Sequence, residues 1–126
     1  MAAVQSAQAC DWLQYDPQVE SVRGKLTIKS YEDPREVGSR KLKFMVLELA
    51  APICMKAQSA KDFNVEERDV QRIQLVVSDA ALDKTLHALL RKKVVITGKL
   101  FHQFSAQHVE KVLIGVTAVR RDEAEH

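Results

Sequence analysis

KKVVITGKLFHQFSAQHVEKVLIGVTAVRR, residues Lys92–Arg121, carries two apolar runs around a polar centre. Val94, Ile96, Gly98 and Leu100 share one side of the first run, and Val112, Ile114, Val116 and Ala118 share one side of the second. Alternation with a period of two among β-branched residues predicts half-buried strands. The polar stretch from Phe101 to Lys111 joins them, so the pair reads as a long hairpin.

Working back from the hairpin, Ser78 to Lys92 has the pattern of a helix. Leu82, Leu86, Leu89 and Leu90 form an i, i+4, i+7, i+8 stripe. Ser78 or Asp79 is placed to cap the start. Arg91, Lys92 and Lys93 stand at the end, where the helix dipole favours cations. His87 borders the stripe and reads as a boundary residue without chemistry.

Three further strands precede the helix. In Val19–Tyr31, Val22, Leu26 and Ile28 share one face and Arg23, Lys25 and Lys29 the other, with Gly24 marking a bulge or bend. Leu42–Leu49 is apolar on both faces from Phe44 onward, as a central strand is, and Pro52-Ile53-Cys54 ends or kinks it. Val70–Val77 points Ile73, Leu75 and Val77 inward. Glu32–Arg40, with Pro34 and Gly38, is a turn-rich connection, and the polar stretch Ala57–Asp69 reads as a mobile surface loop. Before the first strand, Trp12, Leu13 and Tyr15 form an aromatic cluster ahead of a turn at Asp16-Pro17. Trp12 reads as a lid over one end of the core.

The order β-β-β-α-β-β predicts a mainly β protein: a five-stranded OB-like Greek-key barrel with one helix between strands three and four. The competing arrangement is α+β, an open antiparallel sheet with the helix packed on it. At 126 residues the chain holds one domain, with bounds at 10–121. Residues 1–9 read as a disordered N-terminal segment and 122–126 as an acidic tail.

Nineteen Lys and Arg against 17 Asp and Glu leave a net charge of +2. That balance lacks the clustered basic excess of most nucleic-acid binders, so nucleic acid is an unlikely ligand on composition. No apolar run reaches membrane-spanning length. Ala7-Gln8-Ala9 has the A-x-A look of a signal-peptidase site, and Met1 reads as a start residue placed before a mature or partly trimmed segment. The localisation that follows is periplasmic or secreted; the other reading is an Ala-rich cytosolic N-terminus. Two cysteines, Cys10 and Cys54, suit a disulfide in an exported domain, or two buried free thiols in a cytosolic one.

Between Cys10 and Val119 the chain resembles a bacterial family of small exported domains of unknown function. The resemblance is carried by a cysteine before an aromatic-rich turn, by Pro52-Ile53-Cys54, and by Gly98-Lys99-Leu100-Phe101-His102 after the Val94–Thr97 run. It implies export and a Cys10–Cys54 bridge, and it carries no assigned activity. Members of that family tend to have a cluster of histidines after the Phe-His pair, where this chain has only His102 and His108.

Those two histidines bracket the loop after strand four. Imidazole is a common metal ligand, but two without a nearby carboxylate or thiol make a poor site, so no metal and no cofactor is expected. His102, Phe104 and His108 read instead as partner contacts, and Phe104 is the ring most exposed by its polar surroundings. Phe101 and Tyr31 read as structural. Arg40, Lys41 and Lys43, with Arg35, form a basic patch around the first loop, suited to an acidic partner surface. No G-x-S-x-G, P-loop, H-E-x-x-H or paired-cysteine motif occurs, and Glu66-Glu67 falls in a predicted loop, so no enzyme is indicated. The function expected is a non-enzymatic exported binding module for another protein, of the inhibitor or immunity kind. The alternative is an OB module for an oligosaccharide or single-stranded nucleic acid. A domain that pairs its strand edges within a larger assembly is a third reading.

Overall fold

A computed structural model describes residues 10–32, 41–58, 63–104 and 108–123. The expected disordered segment 1–9, the basic residues Arg35 and Arg40, and the last residues of the acidic tail lie outside the described residues. The elements run β1 (Asp11–Leu13), β2 (Val19–Glu32), β3 (Lys41–Met55), β4 (Glu67–Val76), α1 (Ala80–Ala88), β5 (Lys93–His102) and β6 (Val112–Arg121). The chain is mainly β, with one helix among the described residues.

The five long strands close into a ring. β2 pairs antiparallel with β3 on one side and β5 on the other, β5 pairs antiparallel with β6, β6 runs parallel to β4, and β4 returns antiparallel to β3. The inward residues of each strand meet in one core that includes Val22, Leu26, Leu47, Ile73, Ile96 and Ile114. Both apolar runs of the hairpin are strands, and their Val94, Ile96, Leu100, Val112 and Ile114 are fully buried.

Gly24 is the point at which β2 changes partners. It is paired with Leu49 of β3 and Val94 of β5 at once. A Cβ there would lie 2.2 Å from the carbonyl oxygen of Glu48. The glycine thus permits a close backbone approach, with no register shift in either ladder, where the sequence predicts a bulge or bend. Beyond Lys25 the strand continues only along β3, which leaves Ile28 44 % exposed although it shares a face with Val22 and Leu26.

Pro52 does not end β3. The strand runs through it to Met55, and the pairing with β4 shifts register between Glu48 and Ile53 and again between Ile53 and Met55. A residue without an N–H is tolerated where the ladder is interrupted. Past the end of the β2–β3 pairing, the short β1 runs parallel to β3, setting Trp12 opposite Cys54. The Sγ atoms of Cys10 and Cys54 lie at bonding distance, 44 residues apart in the chain. Trp12 is not a lid: it is 38 % exposed with Arg68 stacked 5.0 Å from its centroid, and Tyr15 is the buried aromatic of that segment.

The helix is shorter than its apolar stripe. Asp79 caps it, its carboxylate accepting from the N–H groups of Ala81 and Leu82 at 2.8 and 3.2 Å. Leu86 is fully buried, and Leu82, Leu89 and Leu90 pack on the core. Arg91, with φ 70°, ends the turn, and its N–H donates to Leu26 O at 2.7 Å. Among the described residues, no helix is long and apolar enough to cross a membrane.

Candidate functional site

The turn between β5 and β6 is built on buried polar groups. Asn64, 2 % exposed, accepts the His102 N–H through Oδ1 at 2.9 Å and donates through Nδ2 to Gln58 at 2.7 Å. Gln58 in turn donates to the Asp16 carbonyl. Tyr15 donates to Val65 O at 2.7 Å and meets the His102 ring edge to face. Burial, with Glu67 nearby, pushes the Tyr15 hydroxyl well above the usual phenol range. The second half of the turn hangs from Gln74, whose Oε1 accepts from Val109 and Glu110 at 2.7 and 3.2 Å.

His102 is turned inward. Its Nε2 lies 2.7 Å from Glu67 Oε2, its Nδ1 lies 3.3 Å from Gln103 O, and the His102 and Glu67 side chains are 13 % and 18 % exposed. Glu67 belongs to β4, so the predicted mobile loop ends sooner than its polarity indicates. Lys111 stands 3.9 Å from the other Glu67 oxygen. Among the described residues, no group of three His, Cys, Asp or Glu side chains is arranged to hold a metal ion.

Phe104 faces out, and the half-buried His108 backs it. The Phe104 N–H donates to His108 Nδ1 at 3.1 Å, and Gln103 Nε2 donates to His108 O at 2.6 Å. The Phe104 ring, 59 % exposed, lies 4.6 Å from the His108 ring, 4.8 Å from Phe63 and 5.9 Å from Phe101. Four rings thus form one cluster with a single projecting member. Burial of the imidazole holds His108 below its ordinary pKa, which agrees with an unprotonated Nδ1 accepting a hydrogen bond.

Beside the cluster, Glu110 takes the Tyr31 hydroxyl at 2.5 Å and Arg72 Nε at 3.3 Å on the same oxygen. Burial and this carboxylate push Tyr31 well above the usual phenol range. Between β4 and residues 109–111 runs an open groove of about 430 Å³, with Glu67, Arg72, Glu110 and Lys111 among its walls. It exists because β4 and β6 pair only from Gln74–Val76 to Leu113–Gly115.

The structure therefore joins Phe104 to His108 and turns His102 away from them toward Glu67. Lys43 is exposed on β3 opposite Ser30, on the β2–β3 arm. Lys41 begins β3, with its side chain outside the described residues. The supporting residues Asn64, Glu67, Gln74 and Glu110 escape a reading by periodicity. Gln74, between the inward Ile73 and Leu75, reads by alternation as an outward residue, yet it is 2 % exposed.

Residues 72–120 match the model of a family described as a domain of unknown function (DUF4431). The match takes in the second half of β4, the helix, the turn and the β5–β6 pair up to Arg120. None of the curated proteins and none of the solved structures compared with the chain matches it.

Proposed function

We propose that this chain is a non-enzymatic, exported binding module with an OB-like barrel, which takes another protein at the turn between β5 and β6. The strand circuit β2-β3-β4-β6-β5, with the helix between β4 and β5, supports the OB-like reading. The Cys10–Cys54 pair is compatible with an oxidising location. The observation that carries the binding role is Phe104: a large ring, 59 % exposed, seated on Phe63, Phe101 and His108 at the end of a hydrogen-bonded frame. An exposed aromatic on a rigid support is the usual form of an interface anchor. Both ring nitrogens of His102 are already within reach of protein oxygens, which leaves that imidazole ill placed for proton transfer to a substrate.

The same rings suit a sugar or a base. Glu110, fixed beside the groove, sets a carboxylate where a phosphate backbone would approach, which disfavours single-stranded nucleic acid.

Affinity capture from cell-envelope extract tests the proposal. A stoichiometric protein partner, retained by the wild type and lost by a Phe104→Ala, His108→Ala double variant with unchanged circular dichroism, is the expected result. A partner retained by the double variant overturns the site. Binding of oligosaccharide or single-stranded DNA at that turn, with no protein partner, overturns the proposed ligand class.

A further inference from the structure

Beyond Lys25, β2 has β3 on one edge and no strand on the other. Leu26 sets the direction of its backbone groups. The Leu26 N–H donates to Lys92 O at 3.1 Å, and its carbonyl accepts the Arg91 N–H at 2.7 Å, so both face the β5 side. Backbone groups alternate between the two edges along a strand. The N–H and C=O of Ile28, Ser30 and Glu32 therefore point the same way as those of Leu26, while those of Thr27, Lys29 and Tyr31 point to β3. Among the described residues, no strand lies against Ile28, Ser30 or Glu32 on that side. Ile28 and Ser30 are exposed, Ile28 at 44 %.

We infer that this open edge of β2 pairs antiparallel with the same edge of a second copy of the chain, across a two-fold axis at Ser30. An unpaired edge is a template for another strand, and nothing in the backbone blunts this one. The β2–β3 ladder runs from Gly24 to Glu32 without a register shift, and residues 27–31 include no proline. A second open stretch, residues 67–73 of β4, is protected in the usual way: two register shifts against β3 and Asp69 at φ 56° break its line.

The occupant follows from self-complementarity. A strand paired antiparallel with itself makes a closed two-fold contact, and the residues decide the register. An axis at Ile28 sets Ser30 against Leu26, whose groups are already taken. An axis at Lys29 sets Lys29 against itself, and like charges directly opposite repel. An axis at Ser30 sets Ser30 opposite Ser30 of the second copy, Ile28 opposite its Glu32 and Lys29 opposite its Tyr31. The Ser30 pair and the two Ile28–Glu32 pairs each exchange two backbone hydrogen bonds. The net charge of +2 gives two copies little mutual repulsion. So short a contact buries less than the roughly 1,200 Å² of a standard interface, and the dimer is a weak one, dissociating at about 0.1–1 mM. The inference goes beyond the partner-binding reading and does not depend on it.

Sedimentation equilibrium of the intact protein, from about 10 μM to about 1 mM, brackets that range. The average mass is expected to rise from monomer toward dimer. Ser30→Pro removes the N–H at the axis and spares the bonds to β3, since proline is tolerated where its N–H would face solvent. It should weaken association about tenfold or more, with unchanged circular dichroism. Ile28→Glu sets like charges opposite Glu32 of the second copy, and Ile28→Lys sets opposite ones. The lysine variant should associate about tenfold more tightly than the glutamate variant, which decides the register even if the proline variant fails to fold. Phe104→Ala should dimerise as the wild type does, so failure of the turn's assignment and failure of this one are separable. A wild type that stays monomeric throughout, equal association by the two Ile28 variants, or a dimer lost in Phe104→Ala overturns the inference. So does a folded Ser30→Pro variant that dimerises as the wild type does.

Discussion

The imidazole of His108 accepts the backbone N–H of Phe104 through Nδ1, at 3.1 Å. A protonated ring has no lone pair at that nitrogen, so the geometry of the turn is tied to the neutral state. Burial holds the His108 pKa below 6.5 in the folded chain. A depressed histidine pKa means the unfolded chain binds the proton more readily. The contribution of His108 is therefore complete above pH 6.5 and is lost as pH falls through the folded value. NMR titration should show the His108 ring resonance titrating below 6.5, with the Phe104 amide moving in step. A His108 midpoint at or above 6.5 would contradict this.

Asn64→Ala should cost about 2 kcal/mol, because it leaves the His102 N–H and the Gln58 Oε1 without the partners that Asn64 supplies. Urea denaturation measures the loss. The variant should also increase hydrogen exchange at His102. A change within the error of the denaturation curve would show that the turn does not depend on this residue.

Gly24→Ala should destabilise the protein by about 2–3 kcal/mol, as overpacking in a core does. The added carbon meets the backbone of Glu48, at 2.2 Å from O and 2.8 Å from C, and has no flexible side chain to displace. Gly115→Ala makes the comparison, since its added carbon finds its nearest neighbour at 3.8 Å. Thermal melts should separate the two variants by several degrees, and equal melting temperatures would refute the crossing argument.

Replacing both cysteines by serine should cost about 4 kcal/mol by the chain-entropy relation for a closed loop of this length. Denaturing thiol titration of the oxidised protein should find no free thiol. The variant's β1 amides should exchange faster than those of β2, because β1 is only three residues long and bordered by β3 alone. Two titratable thiols in oxidised protein would remove the bridge.

The strands that contact the core on alternate residues were legible in the chain alone. Val94, Ile96 and Leu100, like Val112 and Ile114, declare their buried side through a period that local geometry imposes. So does the leucine stripe of the helix, although its last members fall beyond the helix end. What period cannot encode is which strand lies beside which. Pro52 reads as a stop because the register shift that accommodates it depends on β4, well downstream in the chain. Ile28 reads as buried because nothing local says that β2 has left β5 by that point. Trp12 and Tyr15 carry nearly the same signal, and only the parallel docking of β1 against β3 exposes one and buries the other.

The site divides in the same way. Phe104 and His108 stand out in the chain as aromatic residues in a polar turn. Their support does not: Asn64, Glu67, Gln74 and Glu110 are ordinary polar residues until folding removes water from around them, when each needs a partner. By itself the sequence determined the alternating strands, the capped helix and the aromatic turn, because each depends on neighbours within a few residues. The ring order and the buried polar frame were decided only by the tertiary structure, because they depend on hydrogen bonds between residues far apart in the chain, such as the pairing of Val19 with Lys99 and the contact of Asn64 with His102.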